Sequence, residues 1–137
     1  MDSKSYIHWE DFYRENWLSS FEKVNSIVVQ KEYEVYANRE RVLNELISFF
    51  LVSCKLFRYY LENNGLLFKD YKLYVKAAFR YGLIDNGDAW IELYHLVSNL
   101  GEDLEGGDAL LKFALVENFE IMKKLKGKFK LLLENNE

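Results

Sequence analysis

Residues 79–90 read Phe79-Arg80-Tyr81-Gly82-Leu83-Ile84-Asp85-Asn86-Gly87-Asp88-Ala89-Trp90. The order is helix end, tight connection, helix start. Gly82 stands where a helix C-terminus asks for positive φ, which glycine adopts at little steric cost. Leu83 and Ile84 follow as apolar residues able to fold back on the last turn. Asp85 or Asn86 then caps a new helix, Gly87 eases the turn, and Asp88 puts an acid in the first turn, where the helix dipole favours one.

Working backward, Tyr71, Val75, Ala78 and Phe79 form the apolar stripe of a helix over about 69–81. Forward, Trp90, Leu93, Tyr94 and Val97 form the inner face of one that stops near Gly101. Two further segments lie upstream. Trp9, Phe12, Tyr13, Trp17, Phe21, Val24 and Val28 recur at steps of three and four, predicting a helix from about Trp9 to Tyr36. Gln30-Lys31 is the natural place for a break. Ile27-Val28-Val29 has strand propensity but no neighbour to pair with. A longer helix runs from about Arg39 to Asn63, with Asn38 as expected N-cap and Gly65 as stop signal. It is apolar on two faces. Val42, Leu46, Phe49, Phe50, Ser53, Phe57 and Tyr60 mark one; Leu43, Ile47, Leu51, Cys54 and Leu61 mark the other. Such a helix is central in its bundle or buried in a subunit interface. Leu43, Ile47, Phe50, Leu51 and Cys54 are its candidate core and dimer positions.

The last segment, about Asp108 to Leu133, carries Leu111, Leu115, Asn118, Met122, Leu125, Phe129 and Leu132 in steps of four and three. That is a heptad seam with one polar member, Asn118. If buried, Asn118 needs a hydrogen-bond partner or sets register in a helical assembly; the alternative is a slight rotation that brings it to water. Acids precede this helix and lysines fill its end, as the dipole favours.

Composition agrees. The chain has 137 residues, no proline, and an aromatic content of 17%. A chain of this length buries about two-thirds of its unfolded surface and forms one domain, 1–137, without staples. The expected architecture is all-α: an antiparallel up-and-down four-helix bundle with one extra short helix. Cys54 is the one cysteine. It lies in an apolar run, so it reads as a buried, inert thiol, and a cytoplasmic setting is expected. The net charge of −4 gives no general attraction to phosphate. Residues 1–16 lack the apolar centre of a targeting peptide, and no apolar run approaches the ~20 residues of a membrane span.

Site chemistry is sparse. His8 and His95 lie far apart, and Glu92-Leu93-Tyr94-His95 lacks the twin that a di-iron bundle requires, so neither metal nor other cofactor is expected. The glycines are spaced as helix stops, not as a phosphate cradle. Ser98 and Cys54 have no identifiable nucleophile partners. The lysines of 123–130 read as a solvated helix end, and the aromatics as core packing.

The segment Lys76-Ala77-Ala78-Phe79-Arg80-Tyr81-Gly82-Leu83-Ile84, with its turn and Asp88-Ala89-Trp90-Ile91-Glu92-Leu93, resembles the nucleotidyltransferase substrate-binding family of the HEPN group. Lys55-Leu56-Phe57-Arg58-Tyr59-Tyr60-Leu61-Glu62 is similar to that family's second helix. The resemblance implies a four-helix homodimer paired with a small separate nucleotidyltransferase subunit, in many cases as toxin and antitoxin, with nucleotide or RNA as further partners. Catalytic members carry an Arg and, a few residues on, a His just after the Trp helix. Here the Arg position falls on Val97 or Ser98 and the His position on Glu102 or Asp103. Neither Val nor Ser supplies a fixed cation, and an acid there repels phosphate. The family's acidic and Trp positions in the second helix fall on Leu51 and Cys54. No catalytic residue is therefore carried over. The expectation is a non-catalytic binding subunit, with His95, Ser98, Asn99, Glu102 and Asp103 as contact positions. The alternatives are a divergent HEPN ribonuclease and an unrelated helical dimeric adaptor.

Overall fold

The computed structural model describes residues 7–135, and every regular element among them is helical. α1 (Trp9–Phe12) passes through a π-turn, Tyr13–Trp17, into α2 (Leu18–Val29), so the three pieces form one rod. Trp9, Tyr13, Trp17 and Phe21 are all buried. Their strict step of four overshoots a 3.6-residue turn by roughly 40° each time. The wider π-turn absorbs that overshoot and keeps the four rings on one side. Tyr13 stacks on Trp17 at 5.5 Å, and Trp17 on Phe21 at 5.3 Å.

The rod ends at Val29, short of the Tyr36 expected from sequence. Lys31 takes a left-handed conformation (φ 52°), and two 3-10 turns, Glu32–Glu34 and Tyr36–Asn38, lead to the next helix. β-branched and aromatic side chains at 33–36 prolong an apolar pattern without a core to face: Val35 and Tyr36 are exposed. Asn38 differs from expectation too. It precedes α3 (Arg39–Asn63) but makes no side-chain cap; its Nδ2 donates to the Glu32 carbonyl at 3.1 Å instead. The side chain thus secures the preceding turns.

α3 runs antiparallel to the first rod. The Trp9 amide donates to Asn63 Oδ1 at 2.9 Å, and Trp17 Nε1 donates to Ser53 Oγ at 2.9 Å. α3 and α4 (Tyr71–Arg80) end the same way. Gly65 and Gly82 both have positive φ, and the following leucine amide reaches back five residues: Leu66 to the Leu61 carbonyl, Leu83 to that of Ala78. These are Schellman stops, and Leu83 and Ile84 are buried on the turn they close. α5 (Gly87–Ser98) then runs antiparallel to α3, with Trp90 against Phe57 and Tyr94 against Phe50. Asn86 supplies its cap, its Oδ1 accepting from the Ala89 amide at 3.0 Å.

α6 (Gly107–Leu111), a π-turn (Lys112–Glu117) and α7 (Phe119–Asn135) form the last rod. It runs with α3 and against the first rod: Asp108 meets Arg39 at its start, and Phe129 packs on Trp9 near its end. The bundle is therefore up-and-down, with α4 as the added short helix against α3 and α5. The predicted heptad seam is corrected at its centre. The π-turn inserts an extra residue, so Phe119 replaces Asn118 in the core beside Leu115 and Met122. Asn118 is half-buried, and its Nδ2 donates to the Phe113 carbonyl at 3.0 Å, tying the break within its own helix.

The two-faced reading of α3 resolves by neighbour. Leu43, Phe50 and Cys54 are buried within the chain, Ile47 is half-buried, and Leu51 is exposed. No helix of the described residues is long and apolar enough to cross a membrane.

Candidate functional site

Three elements meet where α5 ends: the middle of α3, the start of α4 and the last turn of α5. Between them lies a cleft of about 470 Å³. The loop leading to α4 builds one wall. Asp70 caps α4, its Oδ1 accepting from the Leu73 amide at 3.0 Å. The Phe68 amide donates to Tyr74 Oη at 3.0 Å, and the two rings meet edge to face at 5.2 Å. A loop pinned at both ends in this way presents Phe68 and Tyr71 to the cleft as fixed surfaces. Phe50 and Leu51 of α3 and Tyr94 and Val97 of α5 complete the apolar lining.

One polar chain crosses this lining. Arg58 Nε donates to Glu62 Oε2 at 2.9 Å, and its Nη1 reaches Tyr71 Oη at 3.4 Å. Tyr74 Oη donates to the same Glu62 oxygen at 3.2 Å. The hydrogen bonds to Glu62 and Tyr71 raise the Arg58 pKa further, so its charge is permanent at any working pH. Burial pushes the Tyr74 hydroxyl up, so it acts as a neutral donor. Glu62 is therefore engaged from two sides. Its oxygen serves as an acceptor for its own neighbours and is poorly placed to act as a base on a ligand.

The positions singled out from sequence separate in space. Ser98 lines the cleft. His95 is half-buried one residue beyond the lining Tyr94, its ring edge-on to that tyrosine at 5.8 Å. Asn99 is exposed at the α5 C-cap. Glu102 and Asp103 are exposed in a separate turn that Glu105 closes, its Oε2 accepting from the Asp103 amide at 2.8 Å. The structure thus brings one of the five, Ser98, to a formed cleft. Arg58, Glu62, Tyr71 and Tyr74 were not singled out as site residues from sequence. The i, i+4 spacing of Arg58 and Glu62 was the readable signal for an ion pair, but nothing local to either residue announces the tyrosines.

Among the described residues no group of three His, Cys, Asp or Glu side chains is arranged to hold a metal ion. Cys54 also lies on the cleft lining yet is buried, and burial pushes its thiol up to about 12. That thiol stays protonated and unreactive in the folded state. The cleft offers flat aromatic surface, a fixed guanidinium, the Lys69 ammonium and the Ser98 hydroxyl, beside the carboxylates of Glu62 and Asp70. Such a set suits a flat molecule with polar substituents, held by stacking and charge-assisted hydrogen bonds.

No family model matches the chain, and no curated protein matches it.

Proposed function

We propose that this chain is a non-catalytic binding subunit that partners a minimal nucleotidyltransferase, in the manner of a toxin–antitoxin pair, and that it acts as a homodimer. The observation carrying this reading is the cleft beside α5, where the permanent cation Arg58 stands beside aromatic walls and its acid is already engaged. A ligand there gains stacking surface and donors, while the two carboxylates of the lining are each tied to a structural bond, Glu62 to Arg58 and Tyr74 and Asp70 to the Leu73 amide. A nucleotide, with flat base and anionic phosphate, matches that set, Lys69 and Arg58 facing the charge and the rings facing the base. The resemblance over residues 76–93 supports the partner; the presence of Val97 or Ser98, and of Glu102 or Asp103, where the family carries its cation and imidazole supports the lack of catalysis.

Three measurements test it. Affinity purification of the tagged chain from its native cells is expected to co-purify a small nucleotidyltransferase in stoichiometric amount. Light scattering is expected to give twice the chain mass, and a clean monomer counts against the dimer. The purified chain is expected to leave tRNA and mRNA intact; site-specific cleavage lost on Arg58→Met would make it a ribonuclease instead.

A further inference from the structure

A second surface lies at the other end of α5 from the aromatic cleft. The α4–α5 turn and the exposed side of α7 enclose a recess of about 390 Å³, which continues past Asp85, Asn86 and Lys124 into a more open one of about 890 Å³ along α4. Apolar side chains stand in its walls while solvent-exposed: Phe79 is 53% and Leu131 59% accessible. Phe79 lies against Gly87, where a Cβ would come within 2.8 Å of its ring.

The residue that says what the groove is for is Gly127. It lies in the interior of α7, on the recess floor, one helical turn from both Lys124 and Leu131. Glycine weakens a helix interior relative to alanine. Nothing in the chain requires it here: a Cβ at Gly127 would meet no atom within 4 Å. Its φ is not in the left-handed region, unlike Gly82. The fold bears the cost without using the space, and a missing side chain on an open floor is what close approach by another backbone requires. Around it, Lys76, Arg80, Lys124 and Lys128 outnumber Asp85 and Asp88, on a chain whose net charge is −4.

We infer that this groove docks an amphipathic helix of a partner protein, its small or apolar seam laid over Gly127 and its flanks acidic. Charge complementarity decides among occupants. A second copy laid on the same face would bring its own Lys124 and Lys128 to a surface already rich in cations. RNA would find cations, but also the carboxylates of Asp85 and Asp88 in the wall and an apolar floor. An acidic helix satisfies the lysines from its flanks and covers Phe79 and Leu131 with its seam. The inference is independent of the proposed function, which rests on the cleft lined by Arg58 and Ser98.

The test is selection from a displayed library of helical peptides about sixteen residues long, on the full chain. Winners are expected to be rich in Glu and Asp around an apolar seam, and to bind more weakly as salt rises. Gly127→Leu and the pair Lys124→Glu/Lys128→Glu should each abolish binding. Gly127→Ala should weaken it roughly tenfold while raising the unfolding midpoint by about 3 °C, two opposite signs that a purely structural glycine would not give. Winners without acids, or indifferent to Gly127→Leu, overturn the inference. So does a change of chain mass in light scattering on Gly127→Leu, which would make the occupant a second copy. Displacement of the peptide by a single-stranded RNA oligonucleotide whose own binding depends on Gly127 would overturn it in favour of nucleic acid.

Discussion

Replacing Ser53 with alanine isolates one buried hydrogen bond. Ser53 and Trp17 are both fully buried, and the indole Nε1–H donates to Ser53 Oγ at 2.9 Å. The indole cannot turn to seek another acceptor, because Tyr13 and Phe21 stack on its two sides at 5.5 and 5.3 Å and Phe49 lies at 5.4 Å. Ser53→Ala therefore strands a donor among hydrocarbon, at a cost of about 1–3 kcal/mol. Taking about 2 kcal/mol, and an unfolding entropy of roughly 0.3 kcal/mol/K for a chain of 137 residues, the midpoint falls by about 7 °C. Trp17→Phe removes the donor and also leaves a void, so it destabilises as well, but with no indole N–H left the later loss of Ser53 Oγ strands nothing. The double variant should then lose less than the sum of the two by about 1 kcal/mol or more. Urea unfolding followed by far-UV circular dichroism measures all four proteins. A Ser53→Ala protein within about 0.5 kcal/mol of the parent, or additive losses, would refute the account of this bond.

Gly82→Ala should destabilise by about 1–2 kcal/mol, since φ is 81° and a Cβ is strained there even though it meets no atom within 4 Å; the same urea series reads it. Cys54 should resist thiol reagents at pH 8 in the native chain and react at once in denaturant. Its pKa rises on folding from 9.0 to about 12, so the folded state binds the thiol proton more tightly. That contribution to stability is complete below pH 9 and is lost as pH rises toward 12, with the raised Tyr13 hydroxyl adding in the same direction. Stability measured from pH 8 to 11 should fall, and Cys54→Ala should flatten the slope.

The aromatic cleft and the basic groove sit at opposite ends of α5. Ser98 at its last turn lines the first, and Asp88 at its first turn lines the second. A single antiparallel helix thus carries both candidate surfaces.

Helix existence and most of the core were readable without coordinates, because amphipathic periodicity is a local property and the punctuation at Gly65, Gly82 and Asn86 acts through bonds a few residues long. The start and end of α3 and the burial of Trp9, Trp17, Phe57, Trp90 and Phe129 follow from that alone. Register within the rods does not. Two π-turns each admit one extra residue, and whether a helix widens there depends on what the neighbouring rod presents to it. That choice moved Phe119 into the core and Asn118 out of it. The site is the other thing sequence withheld: Arg58, Tyr71 and Ser98 become neighbours only when α3, α4 and α5 pack, and contacts between distant segments leave no periodic trace in the chain. Spacing along one helix determines which face is greasy; only packing between helices determines which polar groups end up sharing a cleft.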